Sequence, residues 1–190
     1  MKTIFPLFAL MLSLITFKAQ QVYQLNTFFD DVPDYSYMKD LNNELSLYVG
    51  NYKAIYEGNE ITLFITKEDK RFNELLDKKY YMDILIVKYT VRNVATGTVL
   101  DDNLNPINPK RDRIISMGTN PPDNNSIDLY YTGTKCGIGW GRITLLKIND
   151  TQIKWAYYPD SRLFSGNDCP DSKNIKIYLP VTKNLIFTEQ

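Results

Sequence analysis

Residues 51–67 read "NYKAIYEGNEITLFITK", and they decide the fold class. Two runs with a period of two flank Gly58-Asn59, a pair that tolerates positive φ and so marks a hairpin turn. In the second run Ile61, Leu63 and Ile65 share one face, with Thr62 and Thr66 on the other. This is antiparallel β-structure with one face buried.

Upstream, Met38, Leu41, Leu45 and Tyr48 recur at intervals of three and four. That spacing predicts a helix of about three turns over residues 38–48, capped by Asp34 or Ser36 and ended by Gly50. Downstream, the charged stretch "EDKRFNELLDKK" (68–79) breaks the alternation and predicts a short helix or a long loop. The longest strand candidate follows, "YYMDILIVKYTVRN" (80–93). Leu85, Val87, Tyr89 and Val91 line one face, while Ile84 and Ile86 make the other apolar too. Something must therefore cover it, and the 38–48 helix is the expected cover.

"VATG" turns the chain into "TVLDD", and residues 103–125 are rich in Asn, Pro and Asp around a short apolar break at Ile114, Ile115 and Met117. Strands resume at "SIDLYYTG" (126–133), "GRITLLKIN" (141–149), "TQIKWAYY" (151–158), "NIKIYL" (174–179) and "NLIFTE" (184–189), with Asn149-Asp150 as another tight turn. The expectation is an all-β fold: an antiparallel up-and-down barrel of about 8–10 strands with one N-terminal helix packed on it. The barrel domain should occupy residues 35–190, after an extended segment over 21–34.

Residues 1–20, "MKTIFPLFALMLSLITFKAQ", have the parts of a secretory signal. Lys2 precedes an apolar run from Ile4 to Phe17, and Ala19 stands where a signal peptidase could cut. The run is shorter than the about 20 residues that a membrane-spanning helix needs. Cleavage near Ala19–Gln21 and export follow as expectations. No cysteine follows the run, so a lipoprotein is not expected.

The 22 basic and 22 acidic residues balance. With no basic stripe, nucleic acid is a poor partner. Histidine is absent, which removes the commonest general base and metal ligand. Any catalysis would fall to carboxylates, Lys, Tyr or Cys, so no enzyme and no cofactor are expected.

The stretch "TGTKCGIGWGRITL" (132–145) concentrates glycine around Cys136. Gly137, Gly139 and Gly141 do not fit a dinucleotide fingerprint, and the run that follows is a strand rather than a helix. Two cysteines in an exported domain most often form a bridge. A Cys136–Cys169 disulfide would close a loop of about 34 residues and contribute about 3.5–4 kcal/mol in the chain-entropy model. The glycines then mark a tight corner, with Trp140 sealing one barrel end.

Asp101, Asn103, Asn105 and Asp112 have the spacing of a calcium loop, but Pro106 occupies the position that needs glycine. No metal is expected. Asp30-Asp31 and Asp101-Asp102 are adjacent carboxylates whose side chains diverge, so neither is an acid/base pair in itself.

Fourteen Tyr, nine Phe and two Trp make the chain aromatic. Tyr52, Tyr56, Tyr89, Tyr131, Trp155 and Tyr157 each sit in a strand on an apolar-looking face. They either pack the core or line a cavity for a small apolar or amphipathic ligand, with their hydroxyls as anchors. Ligand binding inside the barrel is the leading expectation. The alternative is a structural or protein-interaction module of the cell envelope whose barrel is filled.

A helix running into Gly50-x-Tyr52 and then a strand resembles the entry of lipocalin-like barrels, where Gly-x-Trp opens the first strand beneath an N-terminal helix and a distant basic residue stacks on the aromatic. Taken whole, through "KAQ", "YMKDLNNEL", "YVGNY", "CGIGWGRITL" and "LPVTKNLIFTEQ", the chain resembles a family of small secreted bacterial proteins of unknown function. That resemblance implies export and a lipocalin-like β fold, and it carries no activity to transfer.

Overall fold

The computed structural model describes residues 19–105, 114–120, 125–134, 137–160 and 175–190. Among them, eleven strands form one sheet: β1 (Val22–Gln24), β2 (Tyr37–Lys39), β3 (Gly50–Tyr56), β4 (Asn59–Leu75), β5 (Lys78–Asn93), β6 (Val99–Asp102), β7 (Ile114–Thr119), β8 (Ser126–Tyr131), β9 (Gly141–Asn149), β10 (Gln152–Pro159) and β11 (Thr182–Glu189). Eight of them close a barrel in the order β5-β4-β3-β11-β10-β9-β8-β7, with β7 returning to β5. Every contact round the ring is antiparallel. The all-β barrel read from the alternation is therefore the fold.

The wall is not uniform. β3, β4 and β5 pair over long ladders, as do β8, β9 and β10, but two seams are short. β11 meets β3 at Thr188↔Lys53 and Glu189↔Tyr52, and β7 meets β5 at Ile86↔Ile115 and Val87↔Ile114. Side chains extend the second seam. The Asn103 carboxamide accepts from the Tyr89 amide (2.6 Å) and donates to the Val87 carbonyl (3.3 Å), as a neighbouring strand would. Ser116 Oγ accepts from the Leu85 amide at 2.8 Å.

Three expectations need correction. Residues 38–48 are not an α-helix: Met38 lies in β2, and only Leu45–Tyr48 form a 3-10 turn. The cause is Asp40, whose carboxylate accepts from the amides of Glu44 (2.7 Å) and Leu45 (3.1 Å) and so competes with helical bonding. Asn43 takes a left-handed conformation (φ 59°), which also breaks a helix. Leu41, placed on the predicted apolar face, is 56% exposed.

The N-terminal segment supplies part of the cover for the outer side of β5, with Phe29 stacked at 5.9 Å on Tyr80, which shares a face with Ile84 and Ile86. Next, residues 68–75 are neither helix nor loop but the continuation of β4, which turns back through Leu76-Asp77 into β5. Lastly, residues 175–179 of the expected strand 174–179 are irregular. They pack Ile177 and Leu179 on the core instead of joining the wall.

The hairpin turns sit one residue off the reading. Glu57-Gly58 turns between paired Tyr56 and Asn59, and Asp150-Thr151 turns between Asn149 and Gln152. The described part of the glycine stretch is a corner. Gly139 has φ 77°, and a Cβ there would lie 2.9 Å from the Tyr157 hydroxyl, so glycine is required. Trp140 remains 36% exposed. The expected Cys136–Cys169 bridge lies outside the described residues.

Candidate functional site

All six aromatics singled out in the sequence point into the barrel. Tyr52, Tyr89, Tyr131, Trp155 and Tyr157 are 0–1% exposed, and Tyr56 is half-buried at one end. Their rings interlock: Tyr131 meets Tyr157 edge-on at 6.1 Å, Tyr157 meets Trp155 at 6.1 Å, and Trp155 meets Phe187 at 5.7 Å. Ile61, Leu63, Ile65, Val87, Leu129, Ile143 and Leu145 complete the core.

The polar tips of these aromatics are engaged with the barrel itself. Trp155 Nε1 donates to the Pro180 carbonyl at 2.9 Å, and the Tyr157 hydroxyl donates to the Gly139 carbonyl. The Tyr89 hydroxyl donates to Asp101 at 2.9 Å and lies 3.5 Å from the Tyr131 hydroxyl. Burial, then the neighbouring Tyr131 and Asp101, pushes the Tyr89 hydroxyl far above its ordinary range, so it acts as a neutral donor. Tyr56 donates to the Val181 carbonyl at 3.4 Å.

At the other end Lys147 reaches back over Tyr52, its Nζ 5.7 Å from the ring and 3.4 Å from the hydroxyl. Lys147 is the basic partner that the Gly-x-aromatic resemblance implied. It lies 95 residues away in sequence, and an alternating Lys in β9 does not announce itself.

A second cluster joins the N-terminal segment to the barrel. Asp83 is 1% exposed, yet its carboxylate accepts from the Tyr37 hydroxyl (2.5 Å), the Asp40 amide (2.9 Å) and the Lys70 amide (2.8 Å). Asp40 in turn pairs with Lys67 at 3.0 Å. Burial alone would raise the Asp83 carboxyl. The Tyr37 hydroxyl, the two amides and the Lys67 charge outweigh it and hold the group below its usual value. A general acid needs the opposite shift. This cluster clamps the chain together and is poorly set for proton transfer. Beside it a cleft of about 270 Å³ is lined by residues 24–27 with Asp40, Leu41, Asn42 and Glu44.

The remaining feature was not found in the sequence. Beyond a bulge between Glu68 and Arg71, the β4–β5 hairpin runs on as an arm, with Arg71–Leu75 of β4 paired to residues 78–82 of β5. One face carries a cross-strand aromatic row, Phe72↔Tyr81↔Tyr37. The Phe72 and Tyr81 rings are 5.5 Å apart, and Lys70 Nζ lies 5.6 Å and 5.7 Å from the Tyr81 and Tyr37 ring centres.

The turn at the tip places Leu76 (φ 49°) and Asp77 (φ 66°) in the left-handed region, where asparagine and glycine are usual. Leu76 is 83% exposed, and Phe72 and Leu75 are also exposed. β2 and the two residues before it cover the β5 edge of the arm: the Tyr81 amide donates to the Ser36 carbonyl, and the Tyr35 amide to the Lys79 carbonyl. Among the described residues no strand covers the β4 edge.

The described residues contain no group of His, Cys, Asp or Glu placed to hold a metal ion, and no helix long and apolar enough to cross a membrane. Residues 1–190 match a family of unknown function (DUF6705), and the chain belongs to it. No curated protein and no solved structure matches the chain.

Proposed function

We propose that this protein is exported and acts as a protein-interaction module without enzymatic activity, its filled barrel serving as a rigid mount for the β4–β5 arm. The carrying observation is the interlocked interior. Five of the six interior aromatics are 0–1% exposed, and their polar tips meet the barrel's own groups. A ligand in the barrel would have to displace those rings and break those bonds. The arm supports the same reading from the other side, because it exposes Phe72, Leu75 and Leu76 on an extension of the hairpin that lies beyond the pairings closing the barrel.

Export rests on the leader sequence, and a Cys136–Cys169 bridge would suit an oxidising compartment. Native mass spectrometry of the non-reduced protein, exported through its own signal, tests the export, the bridge and the filled barrel. The expected mass is that of a chain cleaved near Ala19–Gln21, lighter by two hydrogens and free of any adduct. A small molecule that is retained natively and lost on denaturation would overturn the filled-barrel reading.

A further inference from the structure

The outer edge of the arm has a backbone pattern that selects its own partner. Leu75↔Lys78 closes the two-residue Leu76-Asp77 turn and is therefore a hydrogen-bonded pair. Ladder alternation then directs the N–H and C=O groups of Arg71, Asn73 and Leu75 toward β5. Those of Phe72 and Glu74 point away from it. The same phase shows on β5, where the Tyr81 amide turns from β4 to Ser36. Among the described residues nothing receives the backbone groups of Phe72 and Glu74. Such an open edge is a template for another strand.

We infer that a second copy of this chain pairs here, β4 against β4 and antiparallel, about a two-fold axis at Asn73. The inference rests on the reading of the arm as the contact element. In this register Phe72 of each copy exchanges both backbone bonds with Glu74 of the other, so that all the outward groups are satisfied.

The side chains agree with it. Arg71 stands opposite Leu75 of the second copy, so its stem covers that exposed leucine. Glu74 is diagonal to both Lys70 and Glu74 of the second copy, and no like charges stand directly opposite each other. A register centred on Phe72 fails, because it needs the Lys70 amide, which Asp83 already accepts at 2.8 Å. The contact is isologous and closes as a dimer. One strand pair buries less than the about 1,000 Å² of a stable interface, so the dimer is a weak one.

Sedimentation velocity of the mature chain between about 10 μM and 1 mM tests this, with two variants. Glu74→Pro removes an N–H that β5 does not use and leaves the arm's ladder intact. It should raise the dimer dissociation constant about thirtyfold, through the two bonds lost per dimer. Asn73→Cys places two thiols at a pair without backbone bonds, where Cα atoms lie about 4.5 Å apart, and should cross-link on mild oxidation. Phe72→Cys should not cross-link above the wild-type background. A monomer at 1 mM, association unchanged by Glu74→Pro, or equal cross-linking at positions 72 and 73 would overturn the inference. These outcomes are separate from a retained ligand in native mass spectrometry, which bears on the filled barrel alone.

Discussion

The inner and outer halves of the β4–β5 hairpin are continuous in sequence and in backbone pairing, yet they face different surroundings. In the inner half Ile61, Leu63 and Ile65 lie opposite Val91, Tyr89 and Val87, all buried in the barrel. Beyond the bulge between Glu68 and Arg71, the β4 strand carries Phe72, Asn73, Glu74 and Leu75 with an open edge and no barrel behind it. The first half builds the fold. The second exposes apolar groups and a turn in an unfavourable conformation, features that a folding role alone does not explain.

Substitutions should separate the halves. Leu63→Ala in the inner half should cost about 3 kcal/mol in urea unfolding, because the filled interior leaves a cavity. Phe72→Ala in the outer half should cost less than about 0.5 kcal/mol. Equal losses would show that the arm is structural.

The seam should be the next most sensitive place. Asn103→Ala leaves the buried Tyr89 amide and Val87 carbonyl without their carboxamide, an expected loss of about 2 kcal/mol in the same assay.

Where the halves meet, Asp83→Asn should cost about 1.5 kcal/mol at neutral pH by weakening its charge-assisted bonds. The Asp83 pKa is lowered in the folded state, so its contribution is complete above the unfolded carboxylate value near about 4 and is lost as pH falls through the lower, folded value. Unfolding midpoints from about pH 6 down to pH 2 should fall less steeply in the variant than in the wild type.

The tip should respond with the opposite sign. Leu76→Asn with Asp77→Gly supplies the residues that the left-handed turn prefers and should stabilise the monomer by about 1 kcal/mol. A loss of stability would show that Leu76 is packed.

The same contrast explains what could be read from the sequence. Alternation reports a strand only when one face is buried and the other wet. Val87-Tyr89-Val91, alternating with Lys88 and Thr90, come near that condition, Ile61-Leu63-Ile65 alternate with the polar Thr62 and Thr66, and the inward direction of Trp155 and Tyr157 is readable in the same way. The arm is wet on its β4 side and carries charge among its apolar residues, so "KRFNELLDKK" reads as helix or loop.

The 38–48 pattern misled for another reason. Met38, Leu45 and Tyr48 are buried as their spacing suggests, but a strand and a 3-10 turn supply them, because the Asp40 carboxylate takes amides that a helix would use. The pairing of Lys147 with Tyr52, the use of Asn103 as a strand substitute and the open β4 edge are products of register. They exist only after closure, and no local pattern encodes them.

Amide hydrogen exchange along β4 tests the central claim most directly. In dilute protein the amides of Arg71, Asn73 and Leu75 should be protected by β5, while those of Phe72 and Glu74 exchange nearly as fast as in an unfolded chain. Raising the concentration toward 1 mM should slow Phe72 and Glu74 alone. Protection of both in the dilute monomer would mean that the edge is already covered, and would contradict the account.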